Sequence, residues 1–300
     1  MSRAGVNDWL GLGALIGLWG TSFLFIALSL QHFSPVGVVA MRVSLAAIVL
    51  TLYMYAKGLR LPRWGRSWLI FAVFSVFGNL LPFYLISWGQ QNVSSGIAGL
   101  LMAIMPLATM VLAHYLLVGE SLNRFKVAGF CLGISGVVII LWPSLLGGHS
   151  TLLSSMLILL AAVSYSLNSV LVRRLPGHDP KVAGAGVMIV ASLMIVPVWL
   201  WQDRPWQVSY PLEALLPLVW LGVGPTGMAT LIYFSVVARS GPTFLSYINY
   251  FIPVVAYFTG ALVLHEAVEW HSMAALLLII GGIALTRRIP PLRPLRQHPS

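Results

Sequence analysis

Residues 105–120 read MPLATMVLAHYLLVGE, and residues 252–266 read IPVVAYFTGALVLHE. Each is an apolar run with a proline in it and an acid at its end. Pro106 precedes Glu120 by 14 positions, and Pro253 precedes Glu266 by 13. Sixteen residues past each acid stands a glycine, Gly136 and Gly282. The two stretches lie about 146 residues apart in a chain of 300, so the pattern predicts a protein built from two related units.

Composition says what surrounds those units. Hydrophobic residues make up 59% of the chain and charged residues 8%, against about 25% charged in a soluble domain. Such a chain cannot clothe itself in a water-facing surface, so lipid is its main solvent. The net charge of +10 does not point to nucleic acid, because the basic residues fall in loops between apolar runs, as membrane topology requires. One cysteine, Cys131, leaves no intrachain disulfide. The N-terminus carries Arg3 and Asp8 before a long apolar run without a small-residue cleavage signature, and reads as a retained first span.

A helix needs about 20 apolar residues to cross the ~30 Å hydrocarbon core. Ten runs qualify, at roughly 10–30, 35–55, 68–89, 95–117, 124–142, 152–172, 182–201, 214–237, 243–264 and 270–287. Short joints such as Ser34-Pro35, Gly177-His178-Asp179-Pro180 and Ser240-Gly241-Pro242 separate them. With the N-terminus inside, Arg204 is the one lysine or arginine outside and Arg42 the one within a span; the remainder of the 17 fall inside. An extra or missing span would scatter that bias. Ten spans with both termini cytoplasmic, in the inner (plasma) membrane, are therefore expected.

Five spans per unit is an odd number, so the second unit enters the membrane upside down. Trp19 then faces Tyr165 and Ser22 faces Asn168 at one offset. The expected fold is all-α and integral to the membrane, ten helices in a five-plus-five inverted repeat. Residues 1–146 form the first repeat, 147–288 the second, and 289–300 a disordered cytoplasmic tail rich in proline and arginine. Inverted repeats place a substrate site at the midplane between the halves.

These features together resemble the drug/metabolite transporter superfamily and, within it, the EamA-type exporters. They are a Trp-Gly turn in the first span (Trp19-Gly20), Ser34-Pro35 opening the second, Arg42 early in that span, and a Pro…Glu run ending each fourth helix. The second copy departs from the first with His265-Glu266 in place of Gly119-Glu120, and with Tyr165 in place of the tryptophan. The resemblance covers Asp8 to Arg287 and implies alternating access through a central cavity, with substrates that range over amino acids, sugars, nucleotide precursors and drugs. Chain length and an aromatic-rich interior look most like the exporters of aromatic and other neutral amino acids. No cofactor or metal is expected. The expected partners are a small-molecule substrate and the lipid bilayer, in a monomer or homodimer without nucleic acid; Gly129, Gly133, Gly281 and Gly282 suit packing within one chain or between two.

Helical depth selects the candidate site. Pro106 and Pro253 fall near midspan, where each frees a carbonyl one turn earlier that in lipid must find a partner; they are the expected hinges. Arg42, roughly 10 Å in from the outer side, has no acid at its depth. It either holds the outer gate through helix carbonyls or snorkelling, or meets a substrate carboxylate. Polar groups expected to face inward are Thr21, Ser22, Asn79, Asn168, Thr226 and Thr230, with Asn249. The aromatic candidates are Trp19, Tyr84, Tyr165, Tyr233, Tyr247 and Tyr250. Hydrogen-bonding groups among aromatics without an acid suit neutral or zwitterionic, partly apolar solutes.

All seven acids (Asp8, Glu120, Asp179, Asp203, Glu213, Glu266, Glu269) stand at span ends or in loops. A midplane carboxylate is the usual proton carrier, so transport without an obligate proton is expected, with His114 and His265 as the remaining titratable candidates near helix ends. The alternatives are an exporter of another class of metabolite (nucleoside, sugar or drug) or an intramembrane serine protease. For the protease, Gly133-Ile134-Ser135-Gly136 offers Ser135 as nucleophile, but Gly129, Gly133 and Gly136 equally form a packing face. A channel would want rings of charge or carbonyl-lined loops, which the short joints do not supply.

Overall fold

The fold is given by a computed structural model that describes residues 5–147, 149–174 and 178–287. The expected tail, 289–300, lies outside the described residues, as do Arg3 and part of the 175–180 joint. Among the described residues the chain is helical, with no strand. Eight helices are long and apolar enough to cross a membrane: α1 Val6–Leu30, α2 Pro35–Ala56, α3 Arg66–Gly89, α4 Ser95–Leu116, α5 Arg124–Pro143, α6 Ser150–Arg173, α7 Pro180–Asp203 and α8 Leu212–Leu245. Two shorter apolar helices follow, α9 Ile248–Val263 and α10 Trp270–Thr286.

The shortness of α9 has a local cause. The joint expected at Ser240-Gly241-Pro242 is present as a kink, with Gly241 at φ 79 inside the 34-residue α8. Residues 243–245, expected to open the ninth helix, are therefore counted at the end of the eighth. Other joints follow their residue chemistry. Ser34 caps α2, its Oγ accepting from the Gly37 N–H, and Pro35 occupies the first turn, where no amide is needed. Asp179 and Pro180 open α7 in the same way.

In a bilayer, apolar burial between helices gains little over contact with lipid, and close backbone approach takes its place. Gly129 and Gly282 show this where α5 meets α10: a Cβ on Gly129 would lie 2.5 Å from the Gly282 carbonyl. The glycine face is thus used within one chain. Elsewhere α2 lies against α7, α3 against α6, α4 against α6 and α9, and α1 against α8 and α9. The large exposed apolar side chains, among them Trp201, Leu262 and Leu277, belong on a lipid-facing surface.

Two helices depart from α geometry at matching places. α3 passes through a π-helical turn at Val76–Leu80, and α8 through another at Gly222–Met228, 146 residues later. A π turn inserts a residue into the ladder and leaves carbonyls to be satisfied from outside. Two further helices are interrupted: α1 at Thr21, and α4 at Ala103–Ile104, just ahead of Pro106.

Candidate functional site

These irregularities surround a cavity of about 310 Å³ lined by every helix except α5 and α10. The indole Nε1–H of Trp19, two residues before the break in α1, donates to the Pro225 carbonyl in the α8 π turn at 2.9 Å. The α3 π turn is treated alike, its Phe77 carbonyl accepting from the Ser164 hydroxyl of α6 at 2.8 Å. Each π turn thus hands a freed carbonyl to a helix of the other half. The break in α4 is handled the same way, with Ser166 Oγ donating to the Met105 carbonyl at 2.9 Å.

Arg42 is only 5% exposed and lines the cavity rather than snorkelling outward. Its guanidinium lies over the Phe83 ring, 3.7 Å from the centroid. Its Nε donates at 2.7 Å to Thr226 Oγ1, and that hydroxyl donates on to the Leu221 carbonyl at 2.8 Å. Thr226 is in the α8 π turn, so the arginine, the π turn and the indole of Trp19 are joined through one short segment of backbone.

Of the candidates named from sequence, Trp19, Ser22, Asn79, Tyr165, Thr226 and Thr230 line the cavity, together with Pro106, Pro253 and Asn249. The remainder lie elsewhere. Thr21 turns its hydroxyl back to the Gly17 carbonyl at 2.6 Å. Asn168 packs its amide on Gly78, with Oδ1 buried and unpartnered. Tyr233 stands behind Trp19, ring centroids 5.9 Å apart, and Tyr84 is on the exposed surface. Tyr247 and Tyr250 stack near Arg287 at the end of the bundle, 5.9 and 4.7 Å from its guanidinium carbon. The wall also contains Phe23, Phe83, Met102, Met105, Met188 and Ile252, which sequence reasoning passed over. In a chain so rich in apolar residues, an aliphatic or thioether side chain carries no signal of which face it occupies.

None of the seven acids lines the cavity. At one end of the bundle, Glu266 accepts from the backbone N–H groups of Ser95 and Gly96 at 2.6 and 2.9 Å, capping α4. At the same end Ser34 Oγ donates to Asp203, and Phe33 stacks on Tyr210 with centroids 4.3 Å apart. At the opposite end Glu120 meets Arg173 at 3.2 Å and Lys126 at 3.9 Å, while Asp8 pairs with Arg239 at 2.7 Å. Ser135 is exposed and donates to its own helix at Leu132 O, 2.7 Å away, while His114 bonds the Glu120 carbonyl. Neither makes the nucleophile–base pair that a serine protease requires.

A bundle of apolar helices closed around a cavity at its broken helices is the build of a membrane carrier. The chain belongs to the EamA-like transporter family, whose model matches residues 8–142 and 152–288, and is a transporter of the drug/metabolite type. It is 24% identical over 281 residues to an uncharacterized transporter of Bacillus subtilis, YoaV, covering 93% of this chain and 96% of that one. It is 26% identical to a probable terminal-alkyne amino-acid exporter of Streptantibioticus cattleyicolor over 90% of both chains. It is 23% identical to an uncharacterized inner membrane transporter of Escherichia coli, YedA, over 94% of this chain and 92% of that one. A solved crystal structure superposes with a TM-score of 0.68 at 22% identity, covering 95% of this chain and 97% of that one.

Proposed function

We propose that this protein exports small metabolites, aromatic or other neutral amino acids foremost, by alternating access across the inner membrane with both termini cytoplasmic. The observation that carries the reading is the cavity: about 310 Å³, at the small end of the ~300–1,000 Å³ usual for ligand pockets, aromatic and apolar in its walls, with amides and hydroxyls and no carboxylate. The relative named as an amino-acid exporter points the same way.

The helix pairings support the five-plus-five inverted repeat. Exchanging each helix for the one five places away turns the α3–α6 contact into α8–α1 and α4–α6 into α9–α1, while α2–α7 and α5–α10 map onto themselves. The two π turns, 146 residues apart, follow the same exchange. In that frame the end tied by Glu266 is the outer one.

With no acid in the cavity wall, transport runs down the substrate gradient without an obligate proton. Purified protein in liposomes, tested for counterflow with a panel of amino acids, nucleosides and sugars, checks both claims. Saturable counterflow of neutral amino acids, reduced in Trp19→Ala and Asn79→Ala, is the expected result. A response confined to nucleosides or sugars overturns the substrate class. Loss of uptake on collapsing the proton gradient, at a constant substrate gradient, overturns the uncoupled mechanism.

A further inference from the structure

The cavity contains one fixed charge, and its counter-ion is missing from the protein. Arg42 is almost wholly buried, yet among the described residues only its Nε is hydrogen-bonded, to Thr226. A guanidinium carries five N–H donors, and among the described residues neither Nη makes a hydrogen bond to protein. The seven acids are all outside the cavity wall, and those nearest the two ends of the bundle are occupied with Arg239, Arg173, Ser34 and the α4 N-terminus. A buried cation with no anion is costly in a membrane protein.

The second half of the chain shows that the scaffold does not need it. Counted from the prolines that open the two related helices, Pro35 and Pro180, the position of Arg42 is taken by Val187, which is also buried. A helix of the same kind is thus built with an aliphatic side chain there. The stack on Phe83 and the bond to Thr226 fix the plane of the guanidinium and leave its two Nη groups for a ligand. That fork matches a carboxylate, which it binds through two parallel hydrogen bonds.

We infer that Arg42 reads the carboxylate of the substrate, so that the cavity selects solutes with one carboxylate on an apolar body; this rests on the transporter reading above and narrows it. Asn79 and Asn249 offer an ammonium group only neutral acceptors beside a fixed cation, so the amine contributes less to recognition than the acid does. Cationic amphiphiles are rejected by the same charge.

The test is binding of phenylalanine, 3-phenylpropionate and phenylalaninamide to the purified full-length protein in detergent by titration calorimetry. In the wild type the two carboxylates bind at least about tenfold more tightly than the amide, the range expected for losing a charge-assisted hydrogen bond. Arg42→Gln brings all three within about threefold of one another, while Arg42→Lys keeps the preference at lower affinity. The wild-type ratio needs no variant to fold. Equal binding of acid and amide by the wild type, or a preference that survives in Arg42→Gln, overturns the assignment. Counterflow of sugars or nucleosides with none of the three bound also overturns it and leaves the transporter reading standing, whereas silence of the whole solute panel sinks both.

Discussion

Glu266 and Glu120 end the two related stretches, yet Glu266 accepts two backbone N–H groups from α4 at 2.6 and 2.9 Å, while Glu120 meets only Arg173 and Lys126 at 3.2 and 3.9 Å in a half-exposed setting. The cause sits six residues earlier in each copy. Gly260 leaves the space into which Glu266 folds; a Cβ there would lie 2.3 Å from Glu266 Oε2 and 2.6 Å from Ser95 Oγ. Its counterpart is His114, whose ring instead bonds the Glu120 carbonyl at 2.8 Å. Two copies of one sequence pattern thus make a clamp at one end of the bundle and a loose surface pair at the other. Under the alternating-access reading this is what a carrier closed at one end requires, and the opposite state would close on Glu120. The counterpart of Ser95-Gly96 there is Pro242-Thr243. Proline has no N–H, so that second clamp would hold one donor where the first holds two.

The comparison breaks most directly at Glu266. Glu266→Ala removes both acceptors and leaves the Ser95 and Gly96 amides unpartnered, with only the Ser94 Oγ cap on Ile97 N–H remaining, at a cost of about 3 kcal/mol for two charge-assisted bonds. A large fall in the thermal unfolding midpoint in detergent is expected; an unchanged midpoint means that the clamp contributes nothing to this state. Gly260→Ala attacks the same contact from the other side and should cost about 2 kcal/mol by overpacking. The two substitutions share one site, so they are not additive. Once the carboxylate is gone, the alanine loses most of its effect, and a fully additive double mutant would place the Gly260 effect elsewhere.

The residues before the acids sharpen the comparison further. Gly119 and His265 are equivalent, and both adopt left-handed backbone, φ 88 and φ 55. Glycine does so freely, whereas a side chain there costs roughly 1–2 kcal/mol. His265→Gly is therefore expected to stabilise the protein by about 1 kcal/mol, read as a rise in the same midpoint. A fall would show that the imidazole makes a compensating contact.

The sequence carried more of the frame than of the wall. The Pro…Glu echo, the charge bias and the positions of the acids are properties of single residues or fixed spacings, so they could be read directly. The substitution of His265 for Gly119 was visible, but its meaning depends on a backbone angle. That Glu266 caps a helix 171 residues away has no local signature. The π turns are equally silent: Asn79 and Thr226 stand out in the sequence as polar groups in apolar runs, but nothing in the residues announces the extra residue in the ladder. That Tyr84, Tyr233, Tyr247 and Tyr250 do not line the cavity is hidden from the sequence for a more general reason. Lipid is as apolar as the bundle interior, so a spanning helix lacks the polar face that orients a helix in a soluble protein.

The smallest effect is expected at Glu120, and it is the one that tests whether the two acids differ in role or only in neighbours. Glu120 is exposed enough that its ion pairs compete with water, and exposed pairs contribute about 0–1 kcal/mol. Glu120→Gln should therefore shift the unfolding midpoint by the equivalent of less than about 0.5 kcal/mol, and less still at high salt. If Glu120 closes the opposite end during the cycle, the same variant should slow counterflow by several-fold despite its unchanged stability, because the penalty falls on a state the unfolding experiment does not sample. Glu266→Ala would give the reverse pattern, losing stability first. A Glu120→Gln protein with normal stability and normal counterflow would mean that only one end of this bundle is gated by an acid, and that the echo at Glu120 survives as a mark of the repeat alone.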